Sequence, residues 1–150
     1  MSQDPGIDLE TSIGYALKEA SSALRGAMEA VLKPLGMTMT HYSCLELLAQ
    51  RPGMSNSDLA RGAFVTRQSM NVLLQTLERD GYVTRPESAP SGKALPTRLT
   101  ERGRESLVRA TAAVRDVETR MLNGLDDTDQ ARLLRMLRGM AEALRGDARE

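Results

Sequence analysis

Aromatic side chains make up only 3% of this 150-residue chain, with no tryptophan and one phenylalanine. A platform for stacking single-stranded bases, or a sugar site walled with rings, has no material here. Cysteine is limited to Cys44, which excludes an intrachain disulfide framework and a multi-cysteine zinc cluster and fits a reducing compartment. Charge of one sign is missing too. The 20 Lys and Arg balance 20 Asp and Glu, so no global field draws the chain to nucleic acid or anionic lipid, and such binding must come from a local patch. No run reaches the roughly 18 apolar residues of a membrane span, and the opening MSQDPGIDLETSIGYALK lacks the basic start and apolar stretch of an export signal. A soluble cytoplasmic protein with no membrane partner is the expectation. What is present is 41% hydrophobic content, enough for the core of one domain, carried largely by helix formers.

Apolar positions recur at Leu9, Ile13, Leu17, Leu24, Met28 and Leu32 with three-and-four spacing, which predicts one long amphipathic helix ended by Pro34 and Gly36. Thr38 is placed to cap a second helix through Gln50, with His41, Cys44, Leu45 and Leu48 on one side and Ser43, Glu46 and Gln50 opposite. Ser55 and Asp58 form a capping-box-like pair opening a short third helix that Gly62 closes. Thr66 opens a fourth helix to about Asp80, with Gly81 as its stop. The period then changes. Tyr82–Arg85 and Leu95–Leu99 are β-prone stretches on either side of a Pro/Ser/Gly loop, a small hairpin. Thr100 begins a fifth helix with a Leu107, Ala110, Val114, Val117, Met121 seam. Asn123-Gly124 breaks it, and Asp126 with Asp129 caps a last helix carrying Leu133, Leu137, Met140 and Leu144.

Two short helices joined by a tight turn and followed by a two-stranded ribbon make a winged helix-turn-helix, with the fourth helix of the chain as the reading element. On that helix Met70, Leu73, Leu74 and Leu77 cluster on one side, leaving Gln68, Asn71, Val72 and Gln75 on the other, with Arg67 and Ser69 near the N-terminus. Amides offer a donor and an acceptor to base edges, a helix N-terminus favours a phosphate, and a valine can touch a thymine methyl. A merely solvated face usually carries Lys/Glu pairs, and this one does not. The DNA-facing set expected is Ser55, Thr66, Arg67, Gln68, Ser69, Asn71, Val72, Gln75 and, in the loop between the strands, Lys93. Residues 61–104 hold eight basic and four acidic side chains, against 12 and 16 elsewhere, so a neutral chain is polarised with its basic end at this motif.

The run LARGAFVTRQSMNVLLQTLERDGYVTR, followed by GKALPTRLTERGRESL, resembles the MarR family of bacterial transcription regulators, and the resemblance extends over nearly the whole chain. It implies a mainly α fold with a small β-hairpin: a single domain over 1–150, with dimerisation helices at 8–33 and 100–146 around a winged lobe at 38–99. It also implies a homodimer reading a pseudo-palindromic duplex. Where members commonly carry Asp-x-Arg in the wing, this chain has Ser91 and Lys93, so its wing tip is expected to be less tightly braced.

Many relatives bind small aromatic or phenolic compounds between the dimer helices and the DNA-binding lobe. By that resemblance Tyr15, Arg25, Met28, His41, Tyr42 and Leu45 are the candidate ligand residues, and the expected function is a repressor released by such a compound. Each has a plainer role: His41 as part of the helix start, the tyrosines as core residues with a bonded hydroxyl. Two alternatives stand beside it, a winged-helix protein-interaction module without DNA binding and a thiol-based redox-responsive regulator using Cys44. An enzyme finds little support: one His, one Cys, no phosphate-binding loop and no metal-ligand spacing. No cofactor or metal is expected.

Overall fold

The computed structural model describes residues 6–85 and 97–148, with side chains as far as 146. The lead does not join the first helix. Asp8 instead closes a turn, its carboxylate accepting from the Glu10 N–H and its carbonyl from the Thr11 N–H. The Ser12 hydroxyl then caps the Tyr15 N–H at 3.1 Å, and α1 runs Ile13–Leu32, starting after residue 8 because a local side-chain bond satisfies the backbone first. A 3-10 turn, Lys33–Leu35, ends at Gly36 with φ +73°, a left-handed conformation that suits glycine. Thr38 caps α2 (Met39–Gln50) through the His41 N–H at 3.1 Å.

The reciprocal Ser55–Asp58 capping box opens α3 (Asn56–Ala63). The helix does not stop at Gly62. A Cβ on Gly62 would lie 2.9 Å from a Leu47 methyl, so this glycine provides close packing of α3 on α2, and Phe64 takes the left-handed cap position, φ 60°, instead. That conformation costs a non-glycine residue about 1–2 kcal/mol. The N–H of Val65 returns to the Ala60 carbonyl at 3.0 Å, satisfying an end carbonyl of α3.

Thr66 caps α4 (Arg67–Arg79), which ends before Gly81 at φ +86°. Two-residue strands follow, β1 (Val83–Thr84) and β2 (Arg98–Leu99), antiparallel with Val83 opposite Leu99 and Thr84 opposite Arg98. Ser91 and Lys93, expected in the loop between the strands, lie outside the described residues. Thr100 caps α5 (Glu101–Met121) through the Gly103 N–H, and its own hydroxyl donates to the Gly81 carbonyl at 2.6 Å, fastening the α5 start to the α4 exit. Asp126 caps α6 (Asp127–Ala148) through the Asp129 N–H.

The chain divides into two units, one through Val117 and one from Glu118. Leu32, Leu45, Leu59, Met70, Leu74 and Leu77 fill the core of the first, drawn from α1 to α4, and Val83, Leu99 and Leu107 close it from the hairpin and α5. Burying each large side chain contributes about 1.5–3 kcal/mol as an upper bound. In the second unit no described residue of α6 is buried, and Leu133, Leu137, Met140 and Leu144 form an exposed stripe at helical spacing. No helix among the described residues is long and apolar enough to cross a membrane.

Candidate nucleic-acid interface

Met70, Leu74 and Leu77 are fully buried and fix the rotation of α4 about its axis. Gln68, Asn71, Val72 and Gln75, at i, i+3, i+4 and i+7, are therefore all exposed on one face. Exposed as well are Ser55, Thr66, Arg67 and Ser69. Ser55, Thr66 and Ser69 serve structure with their hydroxyls. Ser55 accepts the Asp58 N–H at 3.1 Å, Thr66 accepts the Ser69 N–H at 3.0 Å, and the Thr66 hydroxyl donates to that of Ser69 at 2.9 Å. The Ser55 backbone and side chain, then Arg61, hold the Asp58 carboxyl below the usual carboxylate range, so the capping box is charged at neutral pH.

Arg67, Gln68 and Asn71 line a surface recess of about 630 Å³ together with Asn56 from the first residue of α3. Asn56 escaped the sequence reading, as did Arg85 beyond its charge. The Asn71 carbonyl accepts from Asn56 at 3.4 Å and from Arg85 at 3.3 Å, and the Arg85 backbone N–H donates to Glu78 at 3.3 Å. The two Asn71 contacts span 15 and 14 residues and the Glu78 contact spans 7, all between separate elements, so no helical wheel displays them; the signal was the arginine at the strand end.

The cations divide into two groups. Arg61 pairs with Asp58, Arg79 with Asp80 at 3.5 Å, and Arg85 with Glu78 at 3.7 Å. Arg102 lies over the Tyr82 ring, 4.8 Å from its centroid. Arg67, Arg98 and Arg104 are exposed and carry no ion pair among the described residues.

The ligand candidates do not gather in one described cavity. Tyr15 and Arg25 are exposed on α1, and Arg25 lines a recess of about 460 Å³ with Leu17, Lys18, Ser21 and Ser22. Met28, His41 and Leu45 are core side chains. The His41 ring meets Tyr82 edge to face at 5.0 Å, its Nε2 has no hydrogen-bond partner among the described residues, and burial pushes its proton affinity down against an opposing pull from Asp80. Half-buried Tyr42 donates to Glu46 at 2.7 Å.

Glu46, on the side of α2 opposite Cys44 and Leu45, is half-buried. Its carboxylate also accepts from Gln50 at 2.8 Å and from Thr111 of α5 at 3.0 Å. Burial raises its pKa, but these bonds and the Arg115 charge outweigh it and hold the group below the ordinary carboxylate value. Cys44 is fully buried and its thiol is pushed up to about 12 by burial, which removes the thiolate that redox sensing needs.

A profile of the MarR family matches residues 35–94, a span that holds α2, α3, α4 and β1. The HTH-type transcriptional repressor Rv2887 of Mycobacterium tuberculosis is 43% identical over 132 residues, which cover 88% of this chain and 95% of that protein. The crystal structure of Rv2887 in complex with DNA superposes with a TM-score of 0.71 at 41% identity, covering 87% of this chain and 98% of that one. Its complex with salicylic acid superposes with a TM-score of 0.71 at 43% identity, covering 87% and 96%.

Proposed function

The chain belongs to the MarR family, and from that premise we propose that it is a homodimeric transcriptional repressor that reads a pseudo-palindromic DNA duplex through α4. The observation that carries this is the exposed, uncharged amide face of Gln68, Asn71 and Gln75, flanked by the unpaired Arg67 at the helix start. Amides read base edges and the cations hold phosphates, so the two groups separate experimentally. Selection of bound sequences from random duplex DNA by the purified protein is the test. Gln68→Ala and Gln75→Ala should relax preference at single base pairs, at about 1–3 kcal/mol each. Arg67→Ala and Lys93→Ala should weaken all sequences alike and flatten the salt slope by about one unit. Identical behaviour of the two classes would overturn the division of labour, and a protein that enriches no sequence would overturn the function.

For the effector, a small aromatic acid is the class that fits, since Rv2887 forms complexes with salicylic acid and p-aminosalicylic acid. The recess on α1 supports Arg25 as counter-charge to the carboxylate, with Lys18 and two serine hydroxyls beside the apolar Leu17. Tyr15, Met28, His41, Tyr42 and Leu45, the rest of the expected ligand set, do not line this recess, and Met28, His41 and Leu45 are buried in the single chain. A ligand releases DNA only if it binds the non-DNA-binding arrangement better, and about 1.4 kcal/mol of difference shifts that balance tenfold. Salicylate titrated against a preformed protein–DNA complex tests this. Release by salicylate that Arg25→Ala leaves unchanged would remove Arg25 from the site.

A further inference from the structure

Among the described residues, Asn71 is the exposed amide of α4 whose hydrogen bonds are already partly spent inside the protein. Its Oδ1 accepts from Arg85 Nη1 at 3.3 Å and from Asn56 Nδ2 at 3.4 Å. A guanidinium has only donors, so the atom turned toward Arg85 must be the amide oxygen, and the orientation of Asn71 is fixed by chemistry. Arg85 is itself restrained. Its Nε lies 3.7 Å from Glu78, its backbone N–H donates to the same carboxylate at 3.3 Å, and only 25% of its side chain is exposed. It is a strut from the end of β1 back to α4.

A carbonyl oxygen has two acceptor sites, and both are filled here. What Asn71 has left to offer is its Nδ2 amino group with two donors, on the exposed face it shares with Gln68. Gln68 and Gln75 have no hydrogen bond among the described residues and keep both donor and acceptor. An asparagine with a free amide pairs with adenine by donating to N7 and accepting from the N6 amino group. Asn71 cannot make the second of those bonds. The adenine amino group would instead face the Asn71 amino group, donor against donor. Guanine presents N7 and O6, two acceptors side by side.

We infer that Arg85, acting with Asn56, is a positioning residue that makes Asn71 a donor-only reader of the major groove and so selects guanine over adenine at the base pair it faces. This rests on the DNA-reading function proposed above. It deepens that function by assigning the base and the residue that sets it.

The test begins from the duplex enriched by the wild-type protein. Asn71→Ala, on an exposed face, identifies the base pair concerned as the one whose preference disappears. That base should be guanine. Replacing it by 7-deazaguanine should weaken the wild type roughly three- to tenfold, the value of one hydrogen bond, and leave Asn71→Ala unaffected. Arg85→Ala should free the carbonyl and raise adenine at this base pair to within about threefold of guanine, with the preferences set by Gln68 and Gln75 unmoved. Arg85→Lys, which keeps a charge and a donor, should retain the preference for guanine. Circular dichroism and the melting temperature show that each variant is folded. An adenine as the Asn71-dependent base of the wild type, or no base preference lost in Asn71→Ala, would overturn the inference. So would an Arg85→Ala protein that binds every sequence more weakly with unchanged preferences, the behaviour of a structural strut alone. A wild type that enriches no duplex would overturn the regulator function itself, and this inference with it, a result distinct from the others.

Discussion

Gly103 lies so close to the backbone carbonyl of Tyr82 that a Cβ at position 103 would overlap the oxygen and come within 3.2 Å of the carbonyl carbon. The same carbonyl accepts the Thr100 N–H at 3.1 Å. The first turn of α5 is thereby seated on the residue that joins α4 to β1, and the Tyr82 ring carries Arg102 on one contact and His41 on another. Recognition helix, wing and α5 meet at this point.

Gly103→Ala should therefore destabilise the protein by about 1–3 kcal/mol, because the Tyr82 backbone has to move and overpacking against backbone is not relieved by a rotamer change. Equilibrium urea unfolding checks this. Ala substitution at Gly139 of α6, where a Cβ meets nothing within 4 Å, should leave stability unchanged or raise it by up to about 1 kcal/mol through helix propensity. Equal effects at the two positions would show that the contact does not hold the junction.

Stability should rise with pH between about 5 and 7.5, and His41 should be the cause. Burial lowers its folded-state proton affinity below the unfolded value of about 6.5, so in that window the unfolded chain binds more protons than the folded one. The contribution is fully present above about 6.5 and is lost as pH falls through the folded value. Its slope cannot exceed one proton, about 1.36 kcal/mol per pH unit. Glu46 and Asp58 are shifted down from ordinary carboxylate values, so their windows lie below pH 5. Urea midpoints at pH 5 and 7.5 should differ in the wild type and converge in His41→Phe. A slope that survives this substitution would assign the titration elsewhere.

Much of this architecture is legible from single residues. Thr38, Ser55, Thr66, Thr100 and Asp126 each stand at a helix start because a short side-chain oxygen satisfies an N–H that the helix leaves open, a bond within three residues in sequence. The outward face of α4 follows from the same locality, since Met70, Leu74 and Leu77, with Leu73 packed beside them, set its rotation. Reading fails where partners come from another element. Glu46 looks solvated on the α2 wheel and becomes an acceptor for Thr111 across 65 residues. Gly62 looks like a terminator, yet its missing Cβ makes room for Leu47, and the left-handed position falls to Phe64. Asn56 and Arg85 acquire a role only when α3, α4 and β1 are brought together around Asn71.

Cys44 should behave as an inert core group. With its thiol pushed up to about 12 and no solvent exposure, the reactive thiolate is scarce at neutral pH and out of reach. A disulfide reagent such as Ellman's should react negligibly over minutes with the native protein. It should then titrate a single thiol in denaturant, as the chain holds one cysteine. Peroxide should leave DNA binding unchanged, as should Cys44→Ala after allowance for a core cavity. Fast stoichiometric labelling of the native protein, with loss of DNA binding, would restore the redox alternative.

The last prediction concerns α6. Leu133, Leu137, Met140 and Leu144 are 37%, 37%, 40% and 74% exposed in the single chain, on a 22-residue helix with no buried residue among those described. Helical propensity alone leaves such a segment marginal in water, so its order calls for an apolar surface to cover the stripe. A second copy supplies an identical stripe, and a two-fold interface needs no other partner. Three of the four are already more than half covered in the single chain, so burying what remains exposed on both copies contributes roughly 6–11 kcal/mol as an upper bound, comparable with the loss of translational and rotational freedom. Leu137→Glu places a carboxylate at the centre of the stripe in each copy, where covering it costs the desolvation of an unpaired charge. Sedimentation should give a mass of two chains for the wild type, with a melting temperature that rises with protein concentration. For Leu137→Glu the mass should halve, the concentration dependence should vanish, and DNA affinity should collapse because two linked reading helices have become one. Arg138→Glu, on the neighbouring exposed position, controls for the added charge and should remain dimeric. A Leu137→Glu protein that sediments as two chains would show that the stripe is covered by something other than a second copy.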